Sequence, residues 1–265
     1  MATIERQHQR IYFEESGSGP AIVLGHSFLC SGEMWEQQVP VLAESYRVIN
    51  IDYRGHGQSS TPEKRFDVYD LVDDTIAILD ELGIGRAVWA GLSTGGFAAL
   101  RAALTVPERV RAIVVADASA AAESFYPKLK YRTLGIGARL VGMRPFVPVV
   151  VPIMFGQTTL KENPELVDEW TPALLSMDLR SLLRFLEAIM TRDSLLDRLP
   201  EIDVPALIMA GEEDRAQPVF RARQMADSIP GARLEIIPKA GHLSALEQPE
   251  AFNRALLDFL TSLPD

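Results

Sequence analysis

The stretch Gly91-Leu92-Ser93-Thr94-Gly95 constrains this chain more than any other, because of what flanks it. Ala87-Val88-Trp89-Ala90 before it is an apolar run short enough for a buried strand. Gly96 to Val106 after it is rich in Ala and Leu, is closed by Pro107, and reads as a helix. A Gly-x-Ser-x-Gly at a strand-to-helix switch is the signature of a nucleophile elbow. Such a turn admits only small neighbours and pushes the serine hydroxyl into the open. It also aims the unpaired N–H groups and positive dipole end of the helix at the reacting centre. By itself the pattern recurs by chance in roughly one chain in ten of this size, with the serine as a plain helix cap. The remaining segments decide between the two.

Those segments alternate. Arg10–Glu14 is strand-like and Gly17-Ser18-Gly19-Pro20 is a turn. Ala21–Leu24 is a strand ending at Gly25-His26-Ser27-Phe28, and a helix is expected over Glu33–Ala43. Arg47–Asp52 is a strand running into Tyr53-Arg54-Gly55-His56-Gly57-Gln58-Ser59. From Asp67 to Leu82, Val68, Leu71, Val72, Ile76, Leu79 and Leu82 recur at helical spacing, opposite an acidic face. Val110–Ala116, Ala206–Ala210 and Leu234–Ile237 are further strands, and a helix over about Pro249–Leu263 closes the chain. Apolar strands alternating with amphipathic helices imply an α/β fold, a mostly parallel sheet with helices on both faces. Ligands of such sheets bind beyond the carboxyl ends of the strands, where every motif above lies.

The region from Ser119 to Leu199 breaks this alternation and reads as helices without a clear strand, including Leu179–Met190. The expected organisation is a core of residues 1–118 and 200–265 with a helical cap insertion over 119–199. Within the cap, three prolines in the apolar run Arg144–Phe155 rule out a regular long helix. That run is either cap core or pocket lining.

Composition narrows the function classes. The 265 residues are 47% hydrophobic, enough for one large core, and carry a formal charge of −10 from 36 acidic and 26 basic residues. Such a surface is ill suited to nucleic acid or an anionic membrane. The lone Cys30 permits no internal disulfide. The N-terminal residues lack the apolar core of a signal peptide, and no run is long enough to span a bilayer, so a cytoplasmic protein is expected. Homo-oligomerisation is left open.

A serine hydroxyl needs a base. Of His8, His26, His56 and His242, only His242 stands after the last strand and before the final helix, where a loop can bring it to Ser93. His8 is expected at the surface, and His26 and His56 fit structural roles. The base needs a carboxylate to hold its tautomer. Asp214, after the strand Ala206–Ala210, gives the chain order Ser, Asp, His expected for this fold. Glu212, Glu213 and Asp117 are its rivals. Charge developing on a substrate oxygen calls for preplaced N–H donors, here the backbone of Thr94 and, from the loop after Leu24, of Phe28. In Asp52–Ser59 the favoured reading is structural, with Asp52 and Arg54 pinning loops.

These residues together resemble the α/β-hydrolase superfamily over nearly the whole chain: Gly25-His26, Asp52-x-Arg54-Gly55-His56-Gly57-x-Ser59, the elbow, Gly211-x-x-Asp214 and Gly241-His242. Within it the chain is similar to the branch of 3-oxoadipate enol-lactonases, small carboxylesterases and cofactor-free perhydrolases. The tail Ala240–Phe252 is most like the lactonases. The resemblance implies a Ser93-Asp214-His242 triad with Phe28 and Thr94 as the oxyanion hole. No cofactor or metal is called for. The chain departs from many relatives at Ser27, where they carry glycine. A serine in the elbow sets it apart from the dehalogenases and epoxide hydrolases of this fold, which use aspartate there. The expected activity is cleavage of a small-molecule carboxylic ester or lactone through an acyl-enzyme. Peracid formation, carbon–carbon hydrolysis and ligand binding by a receptor that keeps the triad are the alternatives. Lys128, Lys130, Arg132, Arg139 and Arg144 in the cap are the candidate cations for an acidic lactone, and the apolar run favours a greasy ester.

Overall fold

A computed structural model describes residues 2–123 and 125–264. The side chains of 125–132 lie outside the described residues, and with them those of Lys128, Lys130 and Arg132. Eight strands form one sheet: β1 (Ala2–Arg6), β2 (Gln9–Ser16), β3 (Ala21–Gly25), β4 (Arg47–Asp52), β5 (Ala87–Leu92), β6 (Val110–Ala116), β7 (Ala206–Gly211) and β8 (Arg233–Ile237). Their order is β1-β2-β4-β3-β5-β6-β7-β8. β1 and β2 form a hairpin and β2 runs antiparallel to β4, while all later neighbours are parallel. The chain leaves β3 for β4 on one side and returns to β5 on the other. That reversal opens a crevice between the carboxyl ends of β3 and β5, the place where such sheets bind ligands.

The helices are α1 (Val39–Ala43), α2 (Val68–Glu81), α3 (Thr94–Thr105), α4 (Phe125–Val141), α5 (Val147–Met154), α6 (Gln157–Glu162), α7 (Pro164–Leu174), α8 (Leu179–Thr191), α9 (Val219–Ser228), α10 (Ser244–Glu247) and α11 (Pro249–Thr261). α2 starts where its sequence dictates: the Asp67 carboxylate accepts from the N–H groups of Tyr69 and Asp70, and Asp70 accepts from the Asp67 N–H. Strand side chains alternate between two cores. Ile113 and Trp89 face one with Phe97 and Leu71, whereas Val88 and Val114 face the other with Trp35 and Phe252.

Two parts of the expected element order need correction. The hairpin strand β1 is not among the expected elements, and His8 sits in the β1–β2 turn, exposed as expected. The helix expected over Glu33–Ala43 is a 3-10 turn at Gly32–Trp35 followed by the short α1. Pro40 lies in the first turn of α1, and a proline's missing N–H and ring prevent a helix from running through it. Helices α4 to α8 all fall between β6 and β7, with no strand among the described residues there. The proline-rich run forms a 3-10 turn (Arg144–Phe146) and the eight-residue α5, which contains Pro152. No helix of the described residues is long and apolar enough to cross a membrane.

The loop after β4 is pinned as its charges implied. Asp52 accepts from the N–H of Gly32 at 2.7 Å and of Gln58 at 2.8 Å. Arg54 forks onto Asp74 at 2.8 and 2.6 Å, with Asp74 fully buried. Burial pushes the Asp74 carboxyl up, and Arg54 and Arg6 only partly pull it back. Removing one member of such a pair strands the other charge in the interior. Arg54→Met is therefore expected to destabilise the protein by about 3 kcal/mol in urea unfolding. Arg54→Met with Asp74→Leu should recover part of that. A single-variant loss indistinguishable from zero would refute the pinning role.

Candidate active site

Ser93 joins β5 to α3 with φ 52° and ψ −104°, a conformation rare for a residue with a side chain. Strain of this kind costs roughly 1–3 kcal/mol and persists only where the surroundings impose it. Here they do. The Ser93 N–H donates to Ala116 O at 2.8 Å, the Phe97 N–H to Ser93 O at 2.9 Å, and the Gly95 N–H to His26 O at 3.2 Å. Glycine is required on both sides: a Cβ on Gly91 would strike the backbone of Gly95, and one on Gly95 the backbone of Gly25. Helix α3 thus docks backbone against backbone on the central strands, and the serine is held at the crevice.

Asp214 stands in the loop after β7. Its Oδ1 accepts from the N–H groups of Ala216 at 2.7 Å and Gln217 at 2.9 Å. Its Oδ2 lies 2.9 Å from Nδ1 of His242, in the loop after β8. With a carboxylate at Nδ1, that nitrogen carries the proton and Nε2 is left with its lone pair. Burial alone would lower the His242 pKa, but the Asp214 charge and hydrogen bond, with Asp117 and Glu247 further off, hold it above the usual histidine value. Ser93 and His242 line the same cavity of about 610 Å³. No hydrogen bond joins them in this conformation, and catalytic hydrogen bonds often tighten only as substrate arrives.

The rivals for the acid have other partners. Glu213 accepts from the N–H of Thr158 at 2.7 Å and from its hydroxyl at 2.5 Å, and Glu212 accepts from the Lys239 N–H at 3.2 Å. Asp117 accepts from the Gly211 N–H at 2.7 Å and pairs with the Ser244 hydroxyl. Burial and the nearby Asp214 charge push the Asp117 carboxyl up to about 8.

Phe28 occupies a tight turn closed by the Cys30 N–H on Ser27 O at 3.1 Å, with Leu29 at φ 68°. Its ring stacks on Phe185 with centroids 5.8 Å apart, and its N–H makes no hydrogen bond among the described residues. Thr94 opens α3, so its N–H has no acceptor within the helix. Phe28 lines the cavity together with Ser93, and Thr94 follows Ser93 directly in the chain. Ser27 is buried at the cavity wall. The remaining histidines are structural: His26 Nε2 accepts from the Tyr53 N–H at 2.9 Å, and buried His56 packs edge-on to Phe185. Burial pulls both below the ordinary histidine pKa.

The cavity wall is largely apolar, including Phe97, Leu134, Met143, Phe146, Ile153, Leu182 and Ile189. The proline-rich run is therefore a wall of this cavity through Phe146, Val150, Ile153 and Met154. Arg139 and Arg144 are exposed and line no part of it. Its described cations are Arg215 and Arg221, which sequence reasoning passed over, and Arg221 already bonds Gln217 at 3.0 Å and lies 3.8 Å from Glu123. Sequence reasoning also passed over Glu247, which is buried although Gln248, Pro249 and Glu250 follow it and its sequence surroundings give no sign of burial.

Residues 22–255 match the alpha/beta hydrolase family. The chain belongs to this family. It is 30% identical to 3-oxoadipate enol-lactonase 2 of Acinetobacter baylyi over 240 residues, 89% of this chain and 87% of that protein. Among solved structures, a thermophilic esterase from Thermogutta terrifontis superposes with a TM-score of 0.91 at 28% identity, over 96% of this chain and 94% of the other. The enol-lactonase from Burkholderia xenovorans gives 0.90 at 28%, over 98% and 100%.

In this hydrolase the raised His242 pKa has a definite linkage. The Asp214 interaction contributes stability that is full below the unfolded histidine pKa and fades as pH rises through the folded value. Asp214→Asn is expected to lower the pH at which the His242 ring takes up its proton, read from imidazole NMR shifts. An unmoved midpoint would show that Asp214 does not set it.

Proposed function

We propose that this hydrolase cleaves carboxylic esters or lactones with an apolar acyl portion, using Ser93, His242 and Asp214 as a catalytic triad. The observation that carries the reading is the 2.9 Å Asp214–His242 bond beside a strained Ser93 on the same apolar cavity. Ser93 Oγ attacks the carbonyl carbon while His242 Nε2 takes the hydroxyl proton. Asp214 keeps Nδ1 protonated and stabilises the imidazolium. The carbonyl oxygen, now negative, accepts from the N–H groups of Phe28 and Thr94. Collapse of the tetrahedral adduct breaks the bond to the leaving oxygen, which receives the proton from His242. In a lactone that oxygen stays tethered to the acyl group. Water, deprotonated by His242, then attacks the acyl-enzyme and frees Ser93.

The inserted helices act as a cap in this reading, and the wall they supply favours neutral, greasy acyl groups over a dianion. Esterase and enol-lactonase relatives fit both leaving-group types. A p-nitrophenyl ester series is the test. kcat/KM is expected to rise by up to about fourfold per added methylene until the cavity is full. Ser93→Ala should remove on the order of a millionfold of kcat, and a fluorophosphonate should label Ser93 alone. A label on another serine, or full turnover by Ser93→Ala, would overturn the assignment.

A further inference from the structure

We propose that Glu247 is a positioning residue that couples the inserted helices to His242. The inference rests on the triad reading and adds a residue to it. Glu247 is buried at the end of α10 and accepts four hydrogen bonds, two from each side of a junction. Its Oε1 takes the N–H of Gly241 at 2.9 Å and of Leu243 at 3.1 Å, the two residues that bracket His242. Its Oε2 takes the N–H of Gly156 at 2.8 Å and the hydroxyl of Thr159 at 2.6 Å, at the start of α6. One carboxylate therefore grips the backbone on both sides of the imidazole and the inserted helices at once.

The junction is tight as well as polar. A Cβ on Gly241 would strike the Gly156 N, and one on Gly156 would meet the Gly241 N at 2.8 Å. The two glycine backbones lie against each other, bridged by the Glu247 carboxylate and flanked by that of Glu213, so a shift of α6 would disturb Gly241. Just before Gly156, Ile153 and Met154 are part of the cavity wall. A substrate that fills the cavity thus bears on a segment fixed, through one carboxylate, to the backbone around His242. Carboxylates acting on that imidazole are Asp214 in direct contact, and, further off, Asp117 just past the end of β6 and Glu247 from α10. Glu213, from the Asp214 loop, bonds Thr158 on α6 and braces the same junction.

A residue that merely holds the fold together would change thermal stability and little else. Glu247→Gln replaces an acceptor oxygen with an NH2 that faces donors and removes the charge. It is expected to lower kcat by roughly 100-fold with KM nearly unchanged, as misplacement of a catalytic base does. It should also lower the pH at which the His242 ring protonates, read by NMR without substrate. Thr159→Val keeps the Glu247 charge and its bonds to Gly241 and Leu243, and is expected to lower kcat about tenfold with the His242 midpoint unmoved. Should Glu247→Gln fail to fold, Thr159→Val decides alone through kcat. Wild-type kcat in both variants, with only a lower melting temperature, overturns the proposal. So does an unmoved His242 midpoint in folded Glu247→Gln. Failure of the triad reading would appear separately, as labelling away from Ser93, while the NMR titration needs no turnover.

Discussion

Everything at the candidate site depends on backbone packing against backbone where β3, β5 and α3 meet. Gly25, Gly91 and Gly95 leave no room for a Cβ, so the first turn of α3 is pressed onto the central strands and Ser93 is forced to a left-handed φ. The cost of that conformation is small beside the burial of Val88, Trp89 and Leu92 on one side of the turn and Phe97, Ala98 and Leu100 on the other. A larger residue at Gly91 or Gly95 would prise the helix off the sheet, and one at Gly25 would strike the Tyr53 hydroxyl. The position of the hydroxyl is thus set by the absence of side chains.

Electrostatics supply the second layer. Asp117, Asp214 and Glu247 are all buried around one imidazole, and none is left bare. Asp214 is held by two amides of its own loop, Asp117 by Gly211 and Ser244, and Glu247 by its four donors. Buried carboxylates without such donors would be expensive. Satisfied ones also fix the loops that donate to them, so the same bonds that solvate the charges immobilise the ends of β6, β7 and β8.

Much of this was legible in the chain because it obeys short periods and local rules. The apolar runs of β3 to β7 and the capping box before α2 need only their own residues, and Ser93, Asp214 and His242 each follow a strand. β1 escaped because it is an edge strand with hardly a buried side chain, which hydropathy cannot tell from a tail. The cavity wall escaped for another reason. Helical spacing shows that α4 has a face, not which way that face turns. Arg139 and Arg144 are exposed, while the cavity's described cations, Arg215 and Arg221, come from the loop after β7 and from α9. Glu247 belongs to the same class, since its partners lie up to 91 residues away.

Helices α4 to α8 leave the sheet at the end of β6 and rejoin it at β7, its immediate neighbour. An excursion whose two ends emerge side by side can be lengthened, shortened or re-sequenced without altering any strand pairing. Selection can therefore remodel the chamber over the strand ends while the sheet underneath stays as it is. Descendants of this scaffold are free to change diet without relearning how to fold.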